Sequence, residues 1–390
     1  MAYNFQNTRI SKISVIGAGQ IGPDIALHLA KSLSADNVKV INLDISELAL
    51  DNAKSKAHKK IQKEVEKGIL SIEESEIVKS LLIFSSDYEN VCGSQLVVEA
   101  ATEDENIKDR IFSQVEKLTD ADCVYLSNSS HMQPEVIFRN IKNKSRCLVA
   151  HYFFPADRNP VVELVPSAQT EQKLVENLLS FYKSIGKKPI VVKSSYGYAV
   201  DPIFEGLCQT AILCLEKHLG NEKEIDKVAM ETLGLGVGPF TALNLTGGNP
   251  ITAHGLDEMG KKLMPWFKAP EILKKNLVNN VQWNIAAKGE EIIIPEERKE
   301  KIAQQFLGAY FALASYIMDL EIVTIDDLDF ACKNSLVVNP PFTMMNNFGI
   351  EKALQVVTNF CNEHTDFKTP STLQNASKNA GWNILKKQVS

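Results

Sequence analysis

The hydrophobic pattern of the first half of the chain predicts short buried strands that alternate with amphipathic helices. Apolar runs in ISVIG, NVKVINLD and SQLVVEAA have the length of buried strands, and longer segments with apolar residues at helical spacing separate them. Four more strand-like runs follow in CVYLSNSS, CLVAHYFF, PVVELVP and KPIVVKSS. Strands that alternate with helices favour a doubly wound sheet, so we predict an α/β domain at 1–194.

Two charged segments between the second and third strands predict a helical hairpin, which we place at 46–80 as an insertion. SELALDNAKSKAHKKIQKEVEKG and SIEESEIVKSLL have the composition of helices with one solvated face, and Gly68 separates them. Ser71 precedes a cluster of acids and is the expected N-cap of the second helix.

The second half of the chain is helical in pattern and contains a repeat. EIDKVAMETLGLGVGPFTALNLTGG (224–248) parallels DLDFACKNSLVVNPPFTMMNNFG (327–349), with an acid-containing helix, a P-F-T turn, and Asn and Gly at matching offsets. Such a match indicates two copies of one helical unit. We therefore predict an all-α region with an internal repeat, divided into helical domains at 195–300 and 301–390.

Composition limits the kinds of partner. The chain has 390 residues, 44% of them hydrophobic, and its net charge of −6 offers no basic surplus for a nucleic acid or a membrane surface. It contains no apolar run of membrane-spanning length, and MAYNFQNTRISK lacks the apolar core of a signal peptide, so we expect a cytoplasmic location. The seven cysteines lack C-x-x-C pairs, and we expect them to be buried and no metal to be bound.

A glycine-rich turn joins the first predicted strand to the first predicted helix. Gly17, Gly19 and Gly22 stand at G-x-G-x-x-G spacing, with Gln20 and Ile21 between the last two. The first glycine permits a tight turn, the second lets the backbone approach a pyrophosphate, and the third lets the helix pack on the strand. Because a helix N-terminus also presents N–H groups to phosphates, we expect these residues to bind a dinucleotide in a Rossmann-type domain.

Asp44 ends the second predicted strand, 22 residues after Gly22. This is close to the offset of the acid that binds the adenosine ribose 2′-hydroxyl group in such domains. A carboxylate there would repel a 2′-phosphate, and no arginine follows in DISELAL, so the pattern favours NAD over NADP. The alternative is that Asp44 is the N-cap of the helix SELALDNAK, and both roles are compatible.

Three polar residues lie at predicted strand ends, where apolar residues would suit a core better. They are Ser130, His151 and Glu163. Oxidation of an alcohol by NAD needs a base that takes the hydroxyl proton as the hydride leaves, and histidine is suited to this task near neutral pH. A carboxylate behind the imidazole would hold its tautomer and stabilise its protonated form. A lone histidine is more often structural, so the three residues must be considered together.

Seven segments in chain order resemble the landmarks of the 3-hydroxyacyl-CoA dehydrogenases of β-oxidation: VIGAGQIG, VVEAATED, LSNSSHMQP, AHYFFP, VVELVP, GYAVDP and GVGPFTALN. The resemblance covers nearly the whole chain. Its specificity lies in spacing, because the 21 residues from Ser130 to His151 and the 12 from His151 to Glu163 match the family pattern. It implies an NAD-binding domain followed by two tandem helical domains.

The resemblance also implies roles for individual residues. His151 would abstract the proton of the substrate 3-hydroxyl group, and Glu163 would pair with the far nitrogen of its ring. Ser130 would hydrogen-bond the hydroxyl or ketone oxygen. Glu103 and Lys108 match positions that contact the cofactor in the family.

Binding partners are implied in the same way. Lys60 and Lys67 fall where family members grip CoA, although a solvated helix face explains both lysines equally well. The resemblance implies an acyl-CoA substrate and points to an enoyl-CoA hydratase as a pathway partner. The two helical copies could pair within one chain or between chains, which leaves a monomer and a homodimer open.

The chain departs from the family pattern at several positions. Asp201 and Pro202 replace an asparagine and an arginine, Phe154 replaces an asparagine, and His131 follows Ser130. An asparagine amide can donate to a substrate carbonyl, whereas an ionised Asp201 can only accept. Asp201 either caps the helix that follows, with Pro202 at its first position, or contacts an unusual substrate.

The resulting prediction is an NAD-dependent oxidoreductase that interconverts a (S)-3-hydroxyacyl-CoA and a 3-oxoacyl-CoA. The departures predict an altered pocket, so the acyl group could be branched or cyclic. Two alternatives remain open at this point. One is a dehydrogenase of free 3-hydroxy acids, of the crystallin or carnitine type, and the other is a non-catalytic NAD-binding protein.

Overall fold

A computed structural model describes residues 4–5, 8–247 and 249–384 of the chain. The chain divides into two units, Met1–Ser194 and Ser195–Ser390. The predicted domains also include residues that lie outside the described ranges, namely 1–3, 6–7, 248 and 385–390. Residue 248 is also the last residue of the first repeat copy. The division of the second half after residue 300 stays a prediction.

Ten strands are described in the first unit, and eight of them form one sheet. The strands are β1 (Asn4–Phe5), β2 (Thr8–Arg9), β3 (Lys12–Ile16), β4 (Lys39–Leu43), β5 (Leu82–Ser85), β6 (Leu96–Glu99), β7 (Val124–Ser127), β8 (Cys147–Tyr152), β9 (Val161–Pro166) and β10 (Lys188–Val191). The sheet order is β10-β9-β8-β7-β6-β3-β4-β5, while β1 and β2 pair separately. Strands β3 to β8 are parallel, β9 is antiparallel to β8, and β10 is parallel to β9.

Six α-helices accompany the sheet in the described part of this unit: α1 (Gly22–Ser32), α2 (Glu47–Glu66), α3 (Ile72–Leu81), α4 (Glu105–Leu118), α5 (Pro134–Ile137) and α6 (Gln172–Ser184). Helices α2 and α3 form the predicted hairpin. Ser71 caps α3 in a reciprocal capping box with Glu74, as expected. Because β6 and β7 are buried along their whole length, both faces of the sheet are covered, and the predicted α/β fold is confirmed.

The order of strands places the candidate site at one edge of the sheet. From β3 the chain adds β4 and β5 on one side, and then returns to add β6 and β7 on the other. Ligands of doubly wound sheets bind outside the carboxyl ends of the strands at this reversal point. The glycine turn after β3 and the residues after β6 and β7 therefore converge there.

Ten α-helices are described in the second unit: α7 (Asp201–Glu216), α8 (Glu222–Leu233), α9 (Pro239–Thr246), α10 (Asn249–Lys262), α11 (Glu271–Asn279), α12 (Glu296–Asp319), α13 (Ile325–Ala331), α14 (Pro341–Phe348), α15 (Ile350–Glu363) and α16 (Ser371–Lys378). A π-helical segment, Cys332–Leu336, follows α13. The long helix α12 packs against α7, α8 and α15. Within the described part of this unit every regular element is a helix, as predicted.

The predicted repeat is confirmed by matching hydrogen bonds at the starts of α9 and α14. Asp226 accepts from the backbone N–H of Phe240 at 2.8 Å and from the backbone N–H and hydroxyl of Thr241 at 2.9 and 2.7 Å. Asp329 accepts from Phe342 and Thr343 in the same way, at 2.8, 3.1 and 2.7 Å.

A second set of contacts repeats as well. Asn244 exchanges two hydrogen bonds with the backbone of Trp283, and Asn346 does the same with Trp382. In each copy the tryptophan ring lies 4.7 Å, centroid to centroid, from the phenylalanine of the P-F-T turn. Each P-F-T helix is thus fixed at its first turn by an aspartate and at its last by a tryptophan.

Two expectations from the sequence need correction. Helix α7 begins at Asp201, and the residue at its N-cap position is Val200, with φ −96° and ψ −41°. Asp201 is therefore a first-turn residue, and its interpretation as the N-cap is wrong. Six of the seven cysteines are buried, but Cys92 is exposed.

None of the helices in the described ranges combines the length and apolarity that spanning a membrane would need.

Candidate active site

His151 and Glu163 form a buried pair on neighbouring antiparallel strands. The register of β8 and β9 places the two residues directly opposite each other, and His151 Nδ1 lies 2.8 Å from Glu163 Oε2. Both side chains are almost completely buried. A carboxylate at Nδ1 favours the tautomer with its proton on that nitrogen, so Nε2 is the nitrogen that can accept a proton.

Ser130 lies in the loop after β7, and the carboxylate of Glu103 holds its backbone. The backbone N–H of Ser130 donates to Glu103 Oε1, and the hydroxyl of Ser129 donates to both carboxylate oxygens at 3.0 Å. The Ser129 oxygen also accepts from the backbone N–H of Met132 at 2.9 Å. These bonds define the backbone conformation at Ser130, whose side chain is half-buried.

Lys108 joins this loop to the end of β6. Its ammonium group lies 2.8 and 3.0 Å from the two oxygens of Glu99 and 3.5 Å from Glu103 Oε2. Burial alone would lower the pKa of Lys108, but the charges of Glu99 and Glu103 outweigh it and raise that pKa. Burial alone would raise the pKa of Glu103, but the charge of Lys108 and the hydrogen bonds from Ser130 and Ser129 outweigh this effect and lower that pKa. Both groups are therefore charged at neutral pH.

The sequence assigned no individual role to Glu99 or to Ser129. Glu99 is fully buried and also accepts from the backbone N–H of Ala101 at 2.8 Å and from the Ser127 hydroxyl. The available signal was an acid ending an otherwise apolar strand, because a buried acid needs a cation or several donors. Lys108, nine positions later, is that cation.

The glycine turn after β3 has the geometry that a dinucleotide needs. Gly17 has φ +113°, and a Cβ there would collide with the carbonyl oxygen of Ala100. A Cβ on Gly22 would collide with the carbonyl oxygen of Gly17, whereas one on Gly19 would meet no atom of the described residues within 4 Å. Space therefore opens above Gly19, where a pyrophosphate would approach the backbone.

Asp44 follows β4 beside this turn. Its Oδ2 accepts from the backbone N–H of Ala18 at 2.7 Å, and its Oδ1 accepts from that of Ser46 at 2.9 Å. Ser46 is the N-cap of α2 and accepts from Ala49, so the alternative that Asp44 is itself the N-cap is wrong. The open space at Gly19 fits the pyrophosphate of a dinucleotide, and the carboxylate of Asp44 fits its adenosine ribose.

The two lysines that were expected to grip CoA have different surroundings. Lys60 Nζ lies 2.9 Å from Asp24 Oδ1 and 2.8 Å from Asp157 Oδ1. Lys67 is exposed at the end of α2. Their role in CoA binding stays a prediction.

The structure also shows the surroundings of three residues that depart from the family pattern. Phe154 is 37% exposed just after β8, and His131 is buried in the loop after β7, where its charge helps to lower the pKa of Glu103. Asp201 belongs to the second unit and is half-buried in the first turn of α7.

The fold and this arrangement of residues define a dinucleotide-dependent dehydrogenase domain, and comparison with known proteins specifies which one. Residues 12–195 match the sequence model of the 3-hydroxyacyl-CoA dehydrogenase, NAD binding domain. Residues 12–195 thus form an NAD-binding domain of the 3-hydroxyacyl-CoA dehydrogenase type. The resemblance proposed from the sequence is thereby confirmed.

Individual relatives extend this comparison. The glyoxysomal fatty acid β-oxidation multifunctional protein MFP-a of Brassica napus is 34% identical over 239 residues, 61% of this chain and 32% of the relative. The fatty acid oxidation complex subunit alpha of Idiomarina loihiensis is 27% identical over 404 residues, 96% of this chain and 56% of the relative. The chain thus spans about a third to just over half of these curated relatives.

A solved structure shows the same fold over nearly the whole chain. It is 3-hydroxybutyryl-CoA dehydrogenase from Escherichia coli K12, with a TM-score of 0.81 and 19% identity. The match covers 95% of this chain and 99% of that one.

Proposed function

We propose that this protein is an NAD-dependent dehydrogenase that interconverts a (S)-3-hydroxyacyl-CoA and the corresponding 3-oxoacyl-CoA. The observation that carries the proposal is the buried His151–Glu163 pair, at 2.8 Å, in a sheet that also holds a dinucleotide turn. A base with an orienting acid behind it is what alcohol oxidation requires. The family to which the NAD-binding domain belongs supports the same reaction.

In the proposed reaction His151 is the general base. When bound, NAD supplies a hydride acceptor at its nicotinamide ring. Nε2 of His151 takes the proton of the 3-hydroxyl group while C3 loses its hydrogen with the bonding electron pair, and the C–O bond becomes a carbonyl. Glu163 stabilises the imidazolium that forms, and Ser130 donates a hydrogen bond to the reacting oxygen. Reduction of the ketone follows the reverse course.

The cofactor would occupy the carboxyl edge of β3, β4 and β6. We assign the pyrophosphate to the turn that contains Gly17, Gly19, Gln20, Ile21 and Gly22. The adenosine ribose is assigned to Asp44, and the nicotinamide side to the loop that Glu103 and Lys108 hold. The carboxylate of Asp44 favours NAD because it would repel the 2′-phosphate of NADP.

The substrate would be unusual in its acyl group. Phe154 presents an exposed apolar ring shortly after the proposed base, and this favours a branched or cyclic acyl chain. We keep Asp201 as a proposed substrate contact, because its interpretation as the N-cap is wrong. Lys60 and Lys67 stay candidates for CoA contact.

The experiment that tests the function is NADH oxidation by the purified protein with acetoacetyl-CoA. Free acetoacetate tests the free-acid alternative, and NADPH is the cofactor control. We expect turnover with NADH and the CoA ester, and a loss of about 10²- to 10⁴-fold in kcat for His151→Ala because the base is removed.

Binding of NADH is the control for that variant. His151→Ala should still bind NADH, because the glycine turn and Asp44 are unchanged. Undiminished turnover would contradict the role of His151. NADH binding without turnover of acetoacetyl-CoA, or of branched and cyclic 3-oxoacyl-CoA esters, would support a non-catalytic NAD-binding protein.

A cytoplasmic location, a monomer or homodimer, and a hydratase partner stay predictions. Cell fractionation, sedimentation and co-purification with hydratase activity would test them in turn.

A further inference from the structure

Three segments of the first unit meet at the ammonium group of Lys60. Lys60 lies on α2 and contacts Asp24 Oδ1 at 2.9 Å and Asp157 Oδ1 at 2.8 Å. Asp24 lies in the first turn of α1, the helix that follows the glycine turn. Asp157 lies in the segment that joins β8 to β9, six residues after His151. Lys60 therefore links the dinucleotide-binding helix to the segment that follows the proposed base.

Burial makes this link strong. The side chains of Asp24 and Asp157 are only 2% and 7% exposed, and that of Lys60 is 20% exposed. Burial would raise the pKa of Asp157, but the hydrogen bond and charge of Lys60 outweigh this effect and lower it. A buried carboxylate that loses its cation is strongly destabilised. Asp157 consequently stays where Lys60 holds it.

A second lysine, Lys187, binds the backbone of the segment between β8 and β9. Lys187 is buried, and its ammonium group donates to the backbone oxygens of Ala156 and of Asn159, the latter at 2.7 Å. It also lies 5.6 Å from the ring centroid of Tyr152, the last residue of β8. The segment between β8 and β9 is thus fixed through its backbone by Lys187 and through its one buried carboxylate by Lys60.

Asp24 has a further cation that reaches the glycine turn. Lys56 Nζ lies 3.1 Å from Asp24 Oδ1 and 3.2 Å from the backbone oxygen of Gln20. Asp24 would therefore keep a close cationic partner if Lys60 were replaced. Asp157 would keep only the exposed Arg158, whose Nε lies 3.9 Å from its Oδ2. The variants of Lys60 and Asp157 can for this reason be compared as a pair.

We propose that Lys60 is a positioning residue, which fixes His151 relative to the dinucleotide site by holding Asp157 against α1. This inference rests on the proposed dehydrogenase function. Hydride and proton transfer require the base and the cofactor to be placed within tenths of an ångström, and small displacements are costly in rate. The proposal differs from CoA binding by Lys60, because the lysine acts here through Asp157.

The experiment compares Lys60→Met, Asp157→Asn and the double variant, with Lys59→Met as matched control. Lys59 is the adjacent lysine on α2 and is exposed. We expect each single variant to lower kcat about tenfold with both acetoacetyl-CoA and acetoacetyl-pantetheine, which lacks the nucleotide. The double variant should be no slower than the slower single variant, because both changes break one contact. Lys59→Met should equal the wild type, and Lys60→Arg should restore most of the rate.

Two results would overturn the proposal. One is a Lys60→Met defect confined to KM for the CoA ester, which would place the lysine on the CoA nucleotide. The other is full activity of Asp157→Asn. If Lys60→Met does not fold, Asp157→Asn decides the question, because this variant retains the ion pair between Lys60 and Asp24.

A readout without turnover separates this proposal from the proposed function. The imidazole NMR signals of His151, assigned with His151→Asn, should shift in Lys60→Met and Asp157→Asn and stay unchanged in Lys59→Met. An inactive wild type with these shifts would reject the function and keep the link between Lys60 and His151. Unchanged signals in all variants would reject the link.

Discussion

His28 lies in the middle of α1, close to two lysines. Burial, together with the charges of Lys187 and Lys31, lowers the pKa of His28 to about 3. Its Nε2 is buried and finds no hydrogen-bond partner in the part of the chain that the structure describes. The folded protein therefore keeps this ring neutral at a pH where the unfolded chain, with a pKa near 6.5, is already protonated.

This difference predicts a loss of stability in acid. As the pH falls from about 6.5 towards 3, the unfolded state takes up a proton at His28 that the folded state does not. The free energy of unfolding therefore falls by at most about 1.4 kcal/mol per pH unit from this residue. We expect His28→Gln to reduce the slope measured between pH 6.5 and 5 by urea unfolding.

A matched histidine provides the control. His254 is exposed on α10, so His254→Gln should keep the slope of the wild type. A slope that is the same in the wild type and in His28→Gln would contradict a neutral buried His28.

Asp201 gives a second prediction at the scale of single residues. If it contacts the acyl group, Asp201→Asn replaces an acceptor with an amide that can donate to a carbonyl. We expect kcat/KM for acetoacetyl-CoA to rise about tenfold, the effect of one added hydrogen bond. The control is Asp366→Asn, at an exposed aspartate of the same unit. Identical kinetics in wild type and Asp201→Asn would remove Asp201 from the proposed site.

At the scale of elements, the starts of α9 and α14 depend on one aspartate each. Asp226 and Asp329 each accept three hydrogen bonds, although burial raises the pKa of both carboxyl groups. The P-F-T pattern predicted a turn at both places. It did not predict that an acid 13 or 14 residues earlier would satisfy the first turn, because that contact exists only after the helices pack.

Replacement of either aspartate should destabilise the second unit. Asp226→Asn and Asp329→Asn each put an N–H₂ group against donors, and we expect each to lower the free energy of unfolding by about 1.5–3 kcal/mol. All three tryptophans, Trp266, Trp283 and Trp382, lie in this unit, so their fluorescence during urea unfolding measures it. The exposed Asp51→Asn is the control. A large effect in one copy and none in the other would contradict their equivalence.

The short strand β5 shows why one element escaped prediction. Its four residues, Leu82–Ser85, follow α3 without a turn, and the hydrophobic run SLLIF continues the helical pattern into the strand. Pairing with β4 decides the conformation there, because the sheet satisfies the backbone hydrogen bonds that the helix would otherwise make.

At the scale of the whole molecule, the two units differ in how much their sequences predicted. In the first unit, the glycine turn and the order of strands predicted the fold class and the edge where site residues meet. In the second unit, the repeat predicted two equivalent copies, although it did not predict the aspartate contacts that match between them. Local patterns predicted these features because periodicity and turn residues act over a few neighbouring positions.

Charge pairing was the part that the sequence did not predict. Lys108 was expected to contact a cofactor, and its ammonium group lies between two carboxylates. Lys60 was expected to contact a substrate or solvent, and it joins two buried aspartates, one of them 97 positions away. A charged residue in a helix looks solvated in the sequence unless the fold brings an opposite charge to it.

The sequence by itself determined the α/β and all-α halves, the NAD-binding turn and the spacing of Ser130, His151 and Glu163. These depend on short-range backbone geometry and on hydrophobic periodicity. Only the tertiary structure decided which side chains are paired and buried, and which residue begins α7. The physical reason is that pairing energies depend on distance and burial, and both are set by segments that are far apart in the chain.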